Sequence, residues 1–173
     1  MGASVYSHRG PVEDIPPTAS PGLLFLQRFL PALDSLDPAA GNLVSSFLAP
    51  NATFDINGNV TPADQMLPMF EMRGTSLSKF GHRVAFAWDI EHIEEEADKQ
   101  GSGKKSKRTV MYESTSFSVF KNDPDQVEAK VREFNVIELE EDVDAEPGKL
   151  RATALRGYMD PQPVKDRAQA CSA

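Results

Sequence analysis

Glu133 falls on a strand face that should be dry. In Val127-Glu128-Ala129-Lys130-Val131-Arg132-Glu133-Phe134-Asn135-Val136-Ile137, alternate residues share a face, so Val127, Ala129, Val131, Glu133, Asn135 and Ile137 lie together, opposite Glu128, Lys130, Arg132, Phe134 and Val136. A carboxylate removed from water is costly unless it is partnered or used. Glu133 is therefore read as a general base or acid, a role worth ~10²-fold or more if its pKa is raised toward neutrality. The alternative is a buried carboxylate satisfied by Ser114, Asn135 or Arg156.

The preceding run, 109–121, reaches the Glu133 strand through the turn Asn122-Asp123-Pro124-Asp125. If Phe120 faces Val127, antiparallel pairing sets Ser114 opposite Glu133, Tyr112 opposite Asn135 and Ser116 opposite Val131. Tyr112 and Asn135 are then placed to hydrogen-bond negative charge developing on a carbonyl oxygen, with Ser114 and Ser116 as substrate contacts on the same wall. A slip of one residue would instead bring Glu113 opposite Glu133, a like-charged pair that raises a carboxyl pKa. One strand upstream, His82, Val84, Phe86, Trp88, Ile90 and His92 alternate onto one face. Phe86, Trp88 and His82 are expected to line the same space, with a helix-capping role as the alternative for His82. Arg73, at helical spacing from Phe70, is expected to anchor an acidic substrate or to pair with a sheet carboxylate. Asp55, before Asn57-Gly58, reads as a turn carboxylate.

Three histidines and one cysteine, Cys171, leave little from which to build a metal site, and none is expected. His82 and His92 are about 33 Å apart along an extended strand and cannot act together. No glycine-rich phosphate loop and no Gly-x-Ser-x-Gly elbow is present, so no cofactor is expected and serine hydrolysis is a poor reading.

The elements that must position these residues are legible from punctuation and period. Ser20-Pro21, Asp37-Pro38 and Thr61-Pro62 each set a capping side chain before a proline, marking three helix starts. The first helix should bury Leu23, Leu26, Phe29, Leu30 and Leu33, the second Leu43, Val44, Phe47 and Leu48, and the third should end near Gly81. A short strand and turn at 52–58 separate the second helix from the third, and four long strands follow. The result is an α+β order, α-α-β-α-β-β-β-β. We expect a cone-shaped, curved antiparallel sheet wrapped around the N-terminal helices and enclosing a cavity. Residues 1–19 read as a flexible arm, 20–165 as the domain and 166–173 as a flexible tail.

The 173 residues are 40% apolar with a net charge of −8. An acidic chain of this kind disfavours nucleic acid or anionic lipid as a partner. The basic run 104–108 beside Gly101-Ser102-Gly103 reads as a solvated hairpin loop. No run approaches the ~18 apolar residues of a membrane span, and the start lacks a secretory core, so a cytoplasmic setting is expected.

Over about residues 20–165 the order resembles the nuclear-transport-factor-2-like superfamily, and within it the SnoaL-like enzymes of fungal natural-product pathways. The residues that carry the resemblance are the helix pair 21–48, Ala52-Thr53-Phe54-Asp55-Ile56-Asn57-Gly58, Phe80-Gly81-His82, Trp88-Asp89, Glu113-Ser114-Thr115-Ser116 and Arg156-Gly157-Tyr158-Met159-Asp160. It implies a cofactor-independent isomerase, cyclase or dehydratase acting on a polycyclic or polyketide-like small molecule, commonly as a homodimer packed through the outer sheet face. A glutamate opposed by tyrosines is the pattern of the superfamily's semipinacol rearrangement catalyst. Glu133 and Tyr112 match it, but Ser116 stands where a second tyrosine would be. One fold hosts many functions, so a noncatalytic binding module is the alternative.

Overall fold

The computed structural model describes residues 2–93, 107–142 and 149–171. Its elements are β1 (Gly2–Arg9), a 3-10 turn (Val12–Asp14), α1 (Pro21–Asp34), α2 (Ala40–Ser45), β2 (Leu48–Ile56), β3 (Asn59–Pro62), α3 (Ala63–Ser76), β4 (Leu77–Ile93), β5 (Lys107–Phe120), β6 (Ala129–Glu141), β7 (Leu150–Met159) and α4 (Gln162–Ala170). The seven strands form one curved sheet in the order β1-β4-β5-β6-β7-β2-β3. The expected class, α+β, is observed, but the sheet is mixed and not wholly antiparallel. β2 runs parallel to β7, because the β2–β3 hairpin joins the free edge of the β4–β7 meander through a long crossover connection.

The core lies where α1 packs on the sheet. Leu23, Phe25, Leu26, Phe29 and Leu30 are buried, and Phe25 and Phe29 stack with ring centroids 5.5 Å apart. Ser20 and Pro21 open this helix as expected, but the group that meets its first turn is Asp89, whose Oδ2 accepts the Gly22 N–H at 3.0 Å. Of the residues expected in the second helix, Val44 is buried, Leu43 is exposed, and Leu48 already belongs to β2. The Asp55-to-Gly58 turn is as read: Asn57 and Gly58 take positive φ, and Asp55 Oδ1 accepts the Gly58 N–H at 2.8 Å.

The expected arm and tail are not free. β1 pairs with β4 from Gly2 opposite Ile93 to Arg9 opposite Phe86, covering what would be a long bare edge. Backbone hydrogen bonds hold it there, which is why apolar periodicity did not reveal it. The segment expected as a tail forms most of α4. No residue of this helix is buried, and it is tethered by Arg167 Nε on Asp123 Oδ2 at 2.9 Å and by Asn122 donating to the Cys171 carbonyl at 2.6 Å. The third helix ends at Ser76 and not near Gly81, since Leu77 turns to extended backbone and starts β4.

The basic run is divided. Residues 104–106 lie outside the described residues, as do 143–148 of the acidic loop. Arg108, read as part of a solvated loop, is buried in β5, with Nη1 2.7 Å from Asp89 and Nη2 2.8 Å from Glu91. No helix among the described residues is long and apolar enough to cross a membrane.

Candidate active site

The β5–β6 register is the one expected. Ser114 faces Glu133, Tyr112 faces Asn135 and Ser116 faces Val131, while Glu113 is opposite Phe134 on the other face. The neighbouring pairing sets His82 opposite Ser116, so His82, Ser116 and Val131 form one row across three strands and Val84, Ser114 and Glu133 the next. Glu133 reaches back diagonally into the first row. The short Ser116 side chain leaves room for that reach where a tyrosine would fill it. The departure from the tyrosine pattern thus has a geometric consequence.

That consequence is a line of three ionisable groups. His82 Nε2 lies 3.3 Å from Glu133 Oε2, and both side chains are almost fully buried. On its other side His82 Nδ1 is hydrogen-bonded to Asp34 Oδ1, while the His82 backbone N–H donates to Asp34 Oδ2 at 2.9 Å. Ser116 Oγ donates to Glu133 Oε1, and Asn135 Nδ2 is 3.4 Å from both Glu133 Oε2 and Ser114 Oγ. Burial by itself would push the His82 pKa down. The hydrogen bonds and charges of Asp34 and Glu133 outweigh it and hold the imidazolium at about 9.

Burial likewise favours the neutral acid at Glu133, yet the bond to His82, its charge, and the Ser116 and Asn135 donors lower the pKa below the ordinary 4.5. This reverses the expected upward shift: a histidine that sequence spacing did not connect to Glu133 supplies the opposing charge. Burial, followed by the charges of Glu133 and Asp34, pushes the Tyr112 pKa far up, so its hydroxyl is a donor and not a phenolate.

These groups meet a cavity of about 440 Å³. Phe54, Phe70, Met66, Val131, Ile137 and Leu155 give it apolar walls, and Arg73, His82, Tyr112, Ser116, Glu133 and Asn135 give it polar ones. Pro161 and Val164, at the start of α4, also line it. Ser114 is buried behind the wall as a partner of Asn135 and is not on the lining.

Phe86 and Trp88 are not on it either, which corrects the expected face of β4. The β4–β5 register shifts between Val84 and Phe86, and this bulge inverts the alternation. Ala87 and Asp89 consequently point inward. Phe86 and Trp88 instead stack on each other, with centroids 5.8 Å apart, and Arg9 lies 5.2 Å over the Phe86 ring.

Asp34 is the residue that sequence reasoning missed. It stands four residues after Leu30, on the buried side of α1, so the signal that exposed Glu133, a carboxylate on an apolar face, was present at helical spacing as well. A carboxylate at a helix C-terminus is disfavoured by the helix dipole, and the His82 cation offsets that penalty. Arg156, one alternative partner for Glu133, pairs with Glu138 at 3.0 Å. Among the described residues no cluster of three or more histidine, cysteine, aspartate or glutamate side chains is arranged to hold a metal ion.

No protein-family model and no curated protein matches the sequence. Solved structures do match. BvnE pinacolase from Penicillium brevicompactum aligns with a TM-score of 0.55 at 9% identity, over 84% of this chain and 90% of that one. The Mtr2-Mex67 M domain complex of C. albicans gives 0.53 at 14% identity over 81% and 94%, and AusH from Aspergillus nidulans 0.51 at 15% over 84% and 87%. At such identities the likeness is one of fold, and it includes both a named catalyst and a protein complex. The curved sheet and helices of this chain are arranged as in these structures.

Proposed function

We propose that the protein is a cofactor-independent acid/base enzyme, an isomerase or cyclase, or else a dehydratase, that acts on a polycyclic or polyketide-like small molecule. One observation carries this: His82 bridges Asp34 and Glu133 at the wall of an otherwise largely apolar cavity. Structural ion pairs seldom need a titratable line of this kind beside an empty space large enough for a small molecule. In the resting site Glu133 is the ionised base. It accepts a proton from an acidic C–H or O–H of the substrate and returns it to another substrate atom, or to a departing hydroxyl, which then leaves as water. His82, fixed by Asp34, holds Glu133 in its ionised form and keeps the carboxylate aimed, while Tyr112 can donate to an oxygen that gains charge.

The test is turnover of hydroxylated, enolisable polycyclic ketones in deuterated water, read by NMR and mass spectrometry. Expected is exchange or rearrangement that falls ~10²-fold or more in Glu133→Gln, with folding and ligand affinity kept. Ligands that bind but neither exchange nor react with the wild type would favour a noncatalytic binding module. Turnover that survives Glu133→Gln would remove this chemistry. The same proposal includes a homodimer packed through the outer sheet face, supported by the exposed Phe134 and Tyr158, which share a row of that face with Phe86 across Glu113, and tested by sedimentation equilibrium.

A further inference from the structure

Arg73 lines the cavity with a charge that proton transfer through Glu133 does not use. It comes from the last turn of α3, and its guanidinium lies 4.4 Å over the Phe70 ring and 4.3 Å over the Phe80 ring. Nη1 donates to the Leu33 carbonyl at 2.7 Å. A guanidinium offers five donors in a planar fork, and among the described residues the rest of that fork meets no carboxylate within ion-pair distance. Burial lowers the Arg73 pKa to about 10 against the raising effect of Asp34 and Glu133, so the group is still a cation at neutral pH. This half-buried cation over two aromatic rings has most of its donors unclaimed, and an anion would complete them.

The local charges allow such an anion to enter. Asp34 and Glu133 carry two negative charges, and His82 and Arg73 two positive ones. The four sum to zero, but His82 is in contact with both carboxylates, whereas among the described residues Arg73 meets neither within ion-pair distance and keeps its outer donors open. The walls nearby are apolar, with Phe54, Met66 and Leu155 among them. We propose that the ligand of this cavity is an organic acid: a flat, largely apolar molecule whose carboxylate binds the open edge of Arg73 while its body fills the apolar walls. This deepens the acid/base assignment and rests on it only for the placement of the reacting carbon toward Glu133. The anchor itself is a matter of binding and is tested without turnover.

Calorimetric titration of the full chain with anthracene-2-carboxylate and with its methyl ester, which share a ring system and differ in charge, tests the anchor. The acid is expected to bind the wild type at least ~10-fold more tightly, as charge-assisted, bidentate hydrogen bonds imply. Arg73→Met should bring the acid down to the ester's affinity and leave the ester unchanged, and Glu133→Gln should not weaken the acid. Where a thermal melt shows that Arg73→Met does not fold, Arg73→Lys serves, with the acid preference expected to shrink several-fold because the planar fork is lost. Equal affinities for acid and ester, no binding of the acid, or a preference unchanged by substitution at Arg73 overturns the proposal. Acid selectivity absent beside Glu133-dependent turnover sinks the anchor alone. Selectivity present with turnover indifferent to Glu133 sinks the chemistry alone.

Discussion

His82 Nε2 lies 3.3 Å from Glu133 Oε2 while its Nδ1 is held by Asp34, so a single imidazole ties the end of α1 to the middle of β6. Proton linkage at this contact has a definite sign. The His82 pKa is raised from 6.5 to about 9, so its contribution to stability is fully present below 6.5 and is lost as pH rises through 9. Glu133 is lowered from 4.5, so its contribution is present above 4.5 and is lost as pH falls through the folded value. The contact should therefore stabilise most between pH 4.5 and 6.5. We expect the Tm difference between wild type and His82→Asn to peak in that window, and NMR titration to place His82 well above its ordinary value. A His82 that titrates at or below 6.5 would contradict the assignment.

Asp34→Asn keeps the shape of the side chain but removes its charge. The His82 pKa should fall toward the ordinary 6.5, and the alkaline limb of the pH–rate profile should move down with it. The expected loss in kcat/KM is ~10-fold or more. A merely structural Asp34 would leave the pH profile where it was.

Asp89 and Arg108 form an ion pair sealed between α1 and the sheet, with Asp89 fully buried. Arg108→Met strands that carboxylate, and urea denaturation should show a loss of about 3–5 kcal/mol. Gly22 belongs to the same joint, since a Cβ there would come within 2.4 Å of Asp89 Cγ. Gly22→Ala should therefore destabilise the fold even though alanine is the better helix former by about 1 kcal/mol. A stabilised Gly22→Ala would show that Asp89 moves aside freely.

α4 lines the cavity through Val164 and is tethered through Arg167 to Asp123, whose carboxyl pKa is lowered chiefly by that arginine. In Arg167→Ala, hydrogen exchange should speed up selectively in the amides of α4, while β5 and β6 stay protected. The same release is expected in the wild type as acidification protonates Asp123. Uniform exchange across the chain would mean that the helix is not a separate unit.

The fold was legible wherever local chemistry repeats. Proline-marked starts announced α1, Asn57-Gly58 announced the β2–β3 turn, and the short turn at 122–125 set the β5–β6 register that places Glu133, Tyr112, Asn135 and Ser116 on one wall. Alternation failed on β4 because one bulge between Val84 and Phe86 inverts every later side chain, and a bulge has no fixed sequence signature. β1 and α4 were hidden for a related reason: backbone pairing holds the one, and an ion pair with a turn holds the other, so neither needs an apolar period.

The sequence by itself determined that a carboxylate sits on a dry face opposite hydroxyl and amide partners, because strand pairing across a short turn is a local matter. Only the tertiary structure decided what Glu133 is. The ionisation of a buried acid is governed by charges brought near it, and His82 arrives from another strand with Asp34 behind it, 48 residues away along the chain. No local period encodes that distance. It is set by how α1 docks on the curved sheet.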